Sequence, residues 1–434
     1  MMRHYTLFFL FSLLLTPAPA QDMPRVRQTI DTLTSPSMHG RGYVFDGDAK
    51  AANYIRSRFE QAGLKPLGIS YFQPFRMPVN RIVETPQLQV HGKALVAGKD
   101  FVAHAASASG KGKATVLPLD TLVFTEAPAA QKYFSQSFQH RALLYHQRHV
   151  KQLNQLPPLY QRKLNQAKLH IVLQPQALLT TVARQQQAVP VLEVLQTSWP
   201  QQAKKVTYEV KAELNPQHLT QNVLAFVEGS AKLDSFIVFT AHYDHLGGQG
   251  KQVYFPGAND NASGTAMLLE LAQHFSEPQN RPRYSTAFMA FAAEEAGLLG
   301  SLHYVSNPLF PLKQIRFLIN LDLVGTGEEG MVVVNGKVHE PEFRVLQQLN
   351  KQHQYLPQLK SRGKAANSDH YPFSEAGVPA FFFYTLGGTA AYHNTNDYAR
   401  QLPLTRFPEV FRLIVAFAEQ MQQKSKPATF EISH

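Results

Sequence analysis

The chain has 434 residues, of which 44% are hydrophobic and 17% charged, a composition ordinary for a globular protein with one large domain or two. It contains no cysteine, which excludes disulfide bonds and thiolate metal ligands, so any metal must be held by nitrogen and oxygen atoms. The net charge of +11 is dispersed along the chain, and we therefore expect no nucleic-acid partner.

The first twenty residues have the pattern of a signal peptide. Arg3 precedes an apolar run, Leu7–Leu15, that is too short to span a bilayer, and Ala18-Pro19-Ala20 supplies the small residues of a cleavage site. We expect cleavage after Ala20 and export to the periplasm or the exterior, with an uncleaved N-terminal anchor as the alternative. No later segment is apolar enough to predict stable membrane insertion.

The residues between the predicted signal peptide and Leu219 fall into two parts of different composition. Asp46–Gly63 is predicted to be a helix that Asp46 or Asp48 caps and Gly63 ends. Residues 81–217 are rich in glutamine, show no chemical cluster and alternate short β-like runs with polar stretches. The β-like runs are Ala114–Leu117, Leu169–Leu173 and Val189–Val194, and the helical stretch is Pro158–Gln166. We therefore predict that residues 21–80 begin the main domain, 81–217 form an inserted accessory domain and 218–428 complete the main domain.

Apolar strands and amphipathic helices alternate from Leu219 onward. This pattern predicts an α/β fold whose mostly parallel sheet is covered by helices on both sides. The predicted strands are Phe236–Thr240, Ala287–Phe291, Phe317–Leu323, Met331–Val334 and Ala380–Tyr384. The predicted helices are Ala262–Phe275, about Gly297–Val305, Glu342–Gln352 and Pro408–Gln422.

Nearly all the polar residues that could carry chemistry fall at or just beyond the ends of these strands. An open α/β sheet places its ligand crevice there. Two imidazoles and five carboxylates can hold two divalent metals and leave one carboxylate free as a base. The seven residues are His242, Asp244, Asp260, Glu294, Glu295, Asp322 and His393.

Several of these residues also have an ordinary structural explanation when taken alone. Asp260 lies in a turn bounded by glycines, and the side chain of Asn261 or Ser263 could cap the helix that follows. Glu294 and Glu295 are adjacent acids after an apolar run, which is costly without cationic partners, and their diverging side chains could do different jobs. A lone Asp322 inside a predicted buried strand is a local inconsistency that usually marks function. His393 could be a solvated loop residue, with Asp397 as an acceptor.

The motifs together resemble those of the di-zinc exopeptidase family that contains secreted bacterial aminopeptidases and is related to glutamate carboxypeptidase and the transferrin receptor ectodomain. The motifs are HYDH, PGANDNASGTA, AAEEAGLLGS, NLDLVG, SDHYPF and YHNTND, which cover about residues 219–400. MHGRGYVFDGDAKAANYI near the N-terminus is a weaker match. The resemblance implies a phosphorylase/hydrolase-like three-layer sandwich and two zinc ions acting on peptide substrates.

Residue by residue, the resemblance implies one zinc ion on His242 and Asp322 and a second on Glu295 and His393, with Asp260 bridging them. Asp244 would support a ligand, Glu294 would be the general base, and Asp369 would lie near the site. Two departures are His245, where many members have a small residue, and an insertion without the glycine-rich turns of a protease-associated domain. A carboxypeptidase using Arg316, Arg362 or Lys364, a single-zinc glutaminyl-cyclase-like enzyme and a non-catalytic binding module remain as alternatives.

Overall fold

The computed structural model describes residues 21–388 and 391–423. The predicted signal peptide and the end of the segment 218–428 lie outside these residues. Within the described ranges, no helix is both long enough and apolar enough to cross a bilayer. The first part of the chain contributes two helices and two strands: α1 (Met23–Leu33), α2 (Gly47–Gln61), β1 (Lys65–Pro66) and β2 (Phe72–Ile82).

The middle of the chain forms a sheet of its own. Its eight strands have the order β4-β3-β10-β6-β7-β8-β9-β5, and β6 to β9 run parallel. The elements are β3 (Gln87–Val90), β4 (Lys93–Ala94), β5 (Phe101–Ala103), β6 (Gly110–Pro118), α3 (Ala127–Ser135), β7 (Arg141–His146), α4 (Val150–Asn154), α5 (Pro158–Leu164), β8 (Leu169–Gln174), β9 (Val191–Leu195) and β10 (Lys205–Val210).

The remaining residues complete the main sheet and its helices. They are β11 (Ala212–Val227), β12 (Lys232–His242), β13 (Gly248–Gln249), β14 (Val253–Tyr254), α6 (Gly264–Ser276), β15 (Tyr284–Phe291), α7 (Leu299–Ser306), β16 (Ile315–Leu321), β17 (Gly330–Val334), α8 (Glu340–His353), β18 (Leu359–Ser361), α9 (His370–Glu375), β19 (Ala380–Leu386) and α10 (Phe407–Gln423).

The main sheet has nine strands in the order β1-β11-β15-β12-β16-β19-β17-β18, with β2 also pairing with β11. The central strands β15, β12, β16 and β19 run parallel, and antiparallel pairs flank them. One face of this sheet packs with α1, α2, α6 and α10 in the largest apolar cluster. The other face packs with α7 and α9. The fold is therefore the predicted three-layer α/β sandwich with an additional smaller sheet.

The apolar sequence of the central strands explains why they lie in the middle. Every residue of β15 and nearly every residue of β16 is buried, which is typical of strands covered by helices on both faces. Because these strands run parallel, their carboxyl ends meet at one edge of the sheet. Four of the loops that carry the site residues start at that edge, after β12, β15, β16 and β19.

Two local predictions were wrong. Asp322 does not interrupt a strand, because β16 ends at Leu321 and Asp322 begins the following loop. Neither Asp46 nor Asp48 caps α2, since Asp46 precedes the helix without a side-chain bond and Asp48 is buried. The Asp48 carboxylate instead accepts a hydrogen bond of 2.9 Å from His218 Nε2.

Candidate metal centre

His242 and Asp244 flank the end of β12. His242 closes the strand, and its Nδ1 lies 3.1 Å from the backbone carbonyl of Asp244, which fixes the ring so that Nε2 points into the site. The Asp244 carboxylate accepts bonds from the Glu294 backbone N–H at 3.1 Å and from the Tyr43 hydroxyl at 3.1 Å. Asp244 therefore ties the β12 loop to the β15 loop.

Asp260 lies in the turn between β14 and α6. Its peptide bond to Asn261 is cis. Gly257 is required in this turn because it has a positive φ of 61° and because a Cβ there would collide with Asp260 and His245. Asn261 Oδ1 accepts the Gly264 N–H at 2.9 Å and so performs the helix-cap role, whereas Ser263 Oγ donates to Asn259 instead.

Asp397 has a different partner from the one expected. Its carboxylate accepts bonds of 3.0 and 3.1 Å from the backbone N–H groups of Asn259 and Asp260 and does not pair with His393. The prediction that Asp397 is an acceptor for His393 was therefore wrong. Asp397 instead holds the backbone that presents the Asp260 carboxylate.

Glu294 and Glu295 follow β15 and diverge as adjacent residues should. The Glu295 carboxylate is buried and lies 2.8 Å from His245 Nδ1 through one oxygen and 3.2 Å from His393 Nε2 through the other. His245, the departure noted in the sequence, is therefore in direct contact with a site carboxylate. The Glu294 carboxylate lies within 4.8 Å of ligand atoms of His242 and Asp322.

Asp322 and His393 complete the cluster from two further loops. Ser368 Oγ donates to Asp322 Oδ2 at 2.9 Å, whereas the buried Asp322 Oδ1 has no hydrogen-bond partner and faces His242. The His393 ring is stacked on Tyr392 with centroids 3.9 Å apart and an interplanar angle of 13°. Both rings lie in a loop that follows the end of β19.

These side chains form two triads that share one carboxylate. His242 Nε2 lies 3.4 Å from Asp260 Oδ1 and 3.4 Å from Asp322 Oδ1. His393 Nε2 lies 3.0 Å from Asp260 Oδ2 and 3.2 Å from Glu295 Oε2. Each oxygen of Asp260 thus faces a different triad, and all seven sequence-predicted site residues come together at one edge of the sheet.

The cluster of seven site residues contains five carboxylates and two histidines, so it is short of positive charge. Burial raises the pKa of Glu294 well above its usual range, and the nearby carboxylates of Glu295 and Asp369 raise it further. Burial alone would lower the pKa of His393, but its bonds to Asp260 and Glu295 outweigh burial and raise that pKa to about 10. A cation placed among these carboxylates would therefore be strongly favoured.

A cavity of about 200 Å³ opens beside the triads. Five site residues line it: His242, Asp260, Glu294, Asp322 and His393. The rest of the lining is mainly apolar and aromatic. It consists of Leu323, Asn367, Phe382, Tyr384 and Tyr392.

Arg41 is the supporting residue that sequence reasoning missed. It is fully buried, and its guanidinium donates to five backbone carbonyl groups, those of Leu33, Tyr243, Pro256, Gly257 and Asp260. It therefore clamps the loop after β12 to the turn that carries Asp260. Its place in the N-terminal motif MHGRGYVF was the one available indication.

Comparison with known proteins shows which family these motifs are similar to. The family model "Peptidase family M28" matches residues 222–418, which include all seven site residues. We refer to these matched residues as the M28 domain. This M28 domain begins in β11 and ends in α10.

Aminopeptidase YwaD of Bacillus subtilis is 31% identical over 241 residues, which are 53% of this chain and 50% of that protein. The chain thus spans about half the length of the curated relatives it matches. The structure of a zinc aminopeptidase from Bacillus subtilis superimposes with a TM-score of 0.69 at 22% identity, covering 93% of this chain and 96% of that one. An aminopeptidase from Aneurinibacillus sp. strain AM-1 gives a TM-score of 0.64 at 20% identity, with 93% and 94% covered. Such coverage must include the second sheet, so the likeness of fold extends beyond the M28 domain.

Proposed function

We propose that this protein is a zinc aminopeptidase that removes N-terminal residues from peptides at a dinuclear site. The observation that carries the proposal is the pair of triads joined by Asp260, each with one histidine and one further carboxylate. Zinc in hydrolases is held by three protein ligands of these types, with a further position open for water or substrate. His242 and Asp322 would hold one ion, and Glu295 and His393 the other.

The spacing of the ligand atoms fits zinc. A tetrahedral ion with ligands at 2.0–2.1 Å separates its ligand atoms by about 3.3 Å. The four nitrogen-to-oxygen distances in the triads are 3.0 to 3.4 Å. The unpartnered Asp322 Oδ1 is a second indication, because a buried carboxylate oxygen without a donor is costly unless a cation meets it.

The chemistry would divide between the metals and Glu294. Zinc ions in such a site supply Lewis acidity, which polarises the scissile carbonyl group and makes water a better nucleophile at neutral pH. Glu294 would take the proton of the attacking water and deliver it to the leaving amine. Its position supports this role, since it lines the cavity next to Glu295 and its carboxylate lies within 4.8 Å of ligand atoms of His242 and Asp322.

The lining of the cavity supports cleavage from the amino end. Its charged residues are acidic or histidine, a setting that favours the ammonium group of a free N-terminus. Phe382, Tyr384 and Leu323 offer an apolar surface of a size suited to one N-terminal side chain. Phe381 and Phe383, from the same strand, point instead into the core below the sheet.

Three cationic residues were candidates for binding a C-terminal carboxylate. Arg316 lies at the opposite end of β16 from Asp322, and Lys364 pairs with Glu375. Arg362 donates to the hydroxyl of Tyr384 at 3.0 Å, and Tyr384 lines the cavity. Arg362 is therefore the observation that keeps a carboxypeptidase as the second candidate function.

We also propose that the protein is exported, with residues 1–20 as a cleaved signal peptide. Its sequence pattern of a basic residue, an apolar run and small residues supports this. Mass spectrometry of the protein secreted by an expressing bacterium should give a mature chain that begins at Gln21. A chain retaining Met1 in the membrane fraction would contradict the proposal.

The role of Glu294 is tested by Glu294→Gln. The variant should keep two zinc ions per chain and lose activity on a dipeptide by about 10² to 10⁴-fold or more, because only the base is removed. Asp260→Ala should instead lose the metals. Glu340→Gln, at an exposed position in α8, is the matched control and should change neither quantity. Near-normal turnover of Glu294→Gln would show that another group is the base.

A further inference from the structure

The smaller sheet contains a cavity of about 600 Å³ that the proposed peptidase chemistry does not use. It lies between one face of the parallel strands β7, β8 and β9 and the helices α4 and α5. Tyr145, Val172 and Glu193 pair across the three strands and line its floor. The segment between β8 and β9 closes one side with Leu179 and Thr180.

The ionisable side chains that line this cavity supply a negative charge and no positive one near neutral pH. Glu193 is the carboxylate among its lining residues, and none of these residues, all within the described part of the chain, is lysine, arginine or aspartate. Burial lowers the pKa of both lining histidines, His104 and His170, which keeps them neutral. His170 is also engaged, with Nε2 3.1 Å from the Leu164 carbonyl and Nδ1 3.3 Å from the Tyr145 hydroxyl.

Glu193 is an unusual residue to bury without a cation. Only 9% of it is exposed, and burial raises the pKa of its carboxyl group to about 7 although a bond from Gln174 lowers it. An acid in this position costs stability once it is ionised. A cation in the cavity would remove that cost, and the apolar side chains of Val172, Val191 and Leu179 beside it would cover an organic stem.

We propose that this cavity binds a small organic ammonium ion, with the ammonium group on Glu193 and its apolar stem against Val172 and Leu179. An amino acid is a poorer occupant, because its carboxylate would meet Glu193 without any lysine or arginine in the lining to balance it. The volume is ample for a molecule of about ten heavy atoms. The ammonium group could belong to a free amine or to a lysine side chain of a peptide.

The cavity is connected to the M28 domain by a direct contact. The backbone N–H of Thr180, which lines the cavity, donates to the backbone carbonyl of His393 at 3.0 Å. A second hydrogen bond joins the loop of His393 to the part of the chain that forms the smaller sheet: Thr395 Oγ1 donates to the carbonyl of Gly98 at 3.0 Å. An occupant that contacts Thr180 would therefore lie one hydrogen bond away from the backbone of His393, a residue proposed to hold zinc.

The experiment is titration calorimetry of the zinc-loaded full chain with phenethylamine and its uncharged analogue 2-phenylethanol. We expect phenethylamine to bind at least tenfold more tightly than 2-phenylethanol. Glu193→Gln should abolish that preference, whereas Glu209→Gln, at a surface ion pair of the same sheet, should keep it. Val172→Trp, which fills the cavity without changing its charge, is the second variant and should abolish the binding of both compounds.

Two further arms separate the alternatives. Nα-acetyl-lysine amide tests whether a peptide lysine is accepted, and binding of either amine through Glu193 supports the proposal. Phenethylamine binding that Glu193→Gln and Val172→Trp leave unchanged would place the amine elsewhere and overturn it, as would no binding of either amine. Because calorimetry does not depend on hydrolysis, a failure here is distinguishable from a failure of the proposed peptidase function.

Discussion

Glu193→Gln should stabilise the smaller sheet at high pH and not at low pH. The folded state raises the pKa of Glu193 from 4.5 to about 7, so it binds the proton more tightly than the unfolded chain does. Below pH 4.5 the carboxyl is protonated in both states and burial has no electrostatic cost. As the pH rises through 4.5 to 7, the unfolded chain ionises first and the folded protein loses stability.

The size of the effect follows from the same two values. Holding an ionised carboxyl at a site where its pKa is about 7 rather than 4.5 costs about 3 kcal/mol. Glutamine has nearly the same shape, remains neutral and can still bond with Gln174. Glu193→Gln should therefore increase the free energy of unfolding over that of the unmodified protein, and this increase should be about 3 kcal/mol larger at pH 8 than at pH 4.5.

Urea unfolding followed by tryptophan fluorescence is a suitable assay. Trp199 is the one tryptophan of the chain and is buried in the apolar core of the smaller sheet, so its emission reports the relevant region. Glu209→Gln serves as the control for loss of a carboxylate and should show no such pH dependence. A stability difference for Glu193→Gln that is the same at both pH values would refute the reasoning.

Two further predictions concern the groups that support the proposed metal ligands. Arg41→Lys should destabilise the protein by about 2–4 kcal/mol, measured by urea unfolding, because one ammonium group cannot replace a guanidinium that bonds five carbonyls. Ser368→Ala should weaken zinc binding by about 10- to 100-fold in chelator competition, because Asp322 loses the donor that orients it. An unchanged zinc affinity in Ser368→Ala would mean that the bond does not orient the ligand.

The existence of the central strands and the grouping of the seven site residues at their ends were predictable because both are marked by local sequence patterns. Apolar runs such as Ala287–Phe291 marked the central strands, and the boundaries differ by a few residues because strand ends are set by pairing with neighbours. Asp322 was placed inside a strand since its neighbours on both sides are apolar. The backbone in fact leaves the sheet at Leu321, where pairing with β12 and β19 stops.

The supporting contacts were harder to foresee because they join residues distant in the chain. Arg41 contacts carbonyls more than 200 residues away, and its place in the motif MHGRGYVF was the one indication of a supporting role. The partner of Asp397 could not be predicted either, because its closeness to His393 in the sequence suggested a pairing that the fold does not make. Arrangements of this kind depend on the packing of loops against each other.

Glu193 illustrates an indication that was present in the sequence and was not used. It lies in the apolar run Val189–Leu195, as Asp322 lies in the run that begins at Phe317, and an isolated acid in a buried strand was the argument applied to Asp322. The conclusion that the segment 81–217 has no chemical cluster followed from neighbouring residues alone. The structure gathers Glu193, Gln174 and His170 from two strands and lines one cavity with them.

The most direct test of the central claim is hydrolysis of a panel of dipeptides by the zinc-loaded protein. The panel contains free, N-acetylated and C-terminally amidated forms, each assayed with and without a chelator and after zinc is restored. We expect cleavage of the free and amidated forms, none of the N-acetylated form, and a loss of activity with the chelator that is reversed when two zinc ions per chain are restored. Cleavage that tolerates N-acetylation and requires a free carboxylate would contradict the proposed aminopeptidase activity and favour the carboxypeptidase.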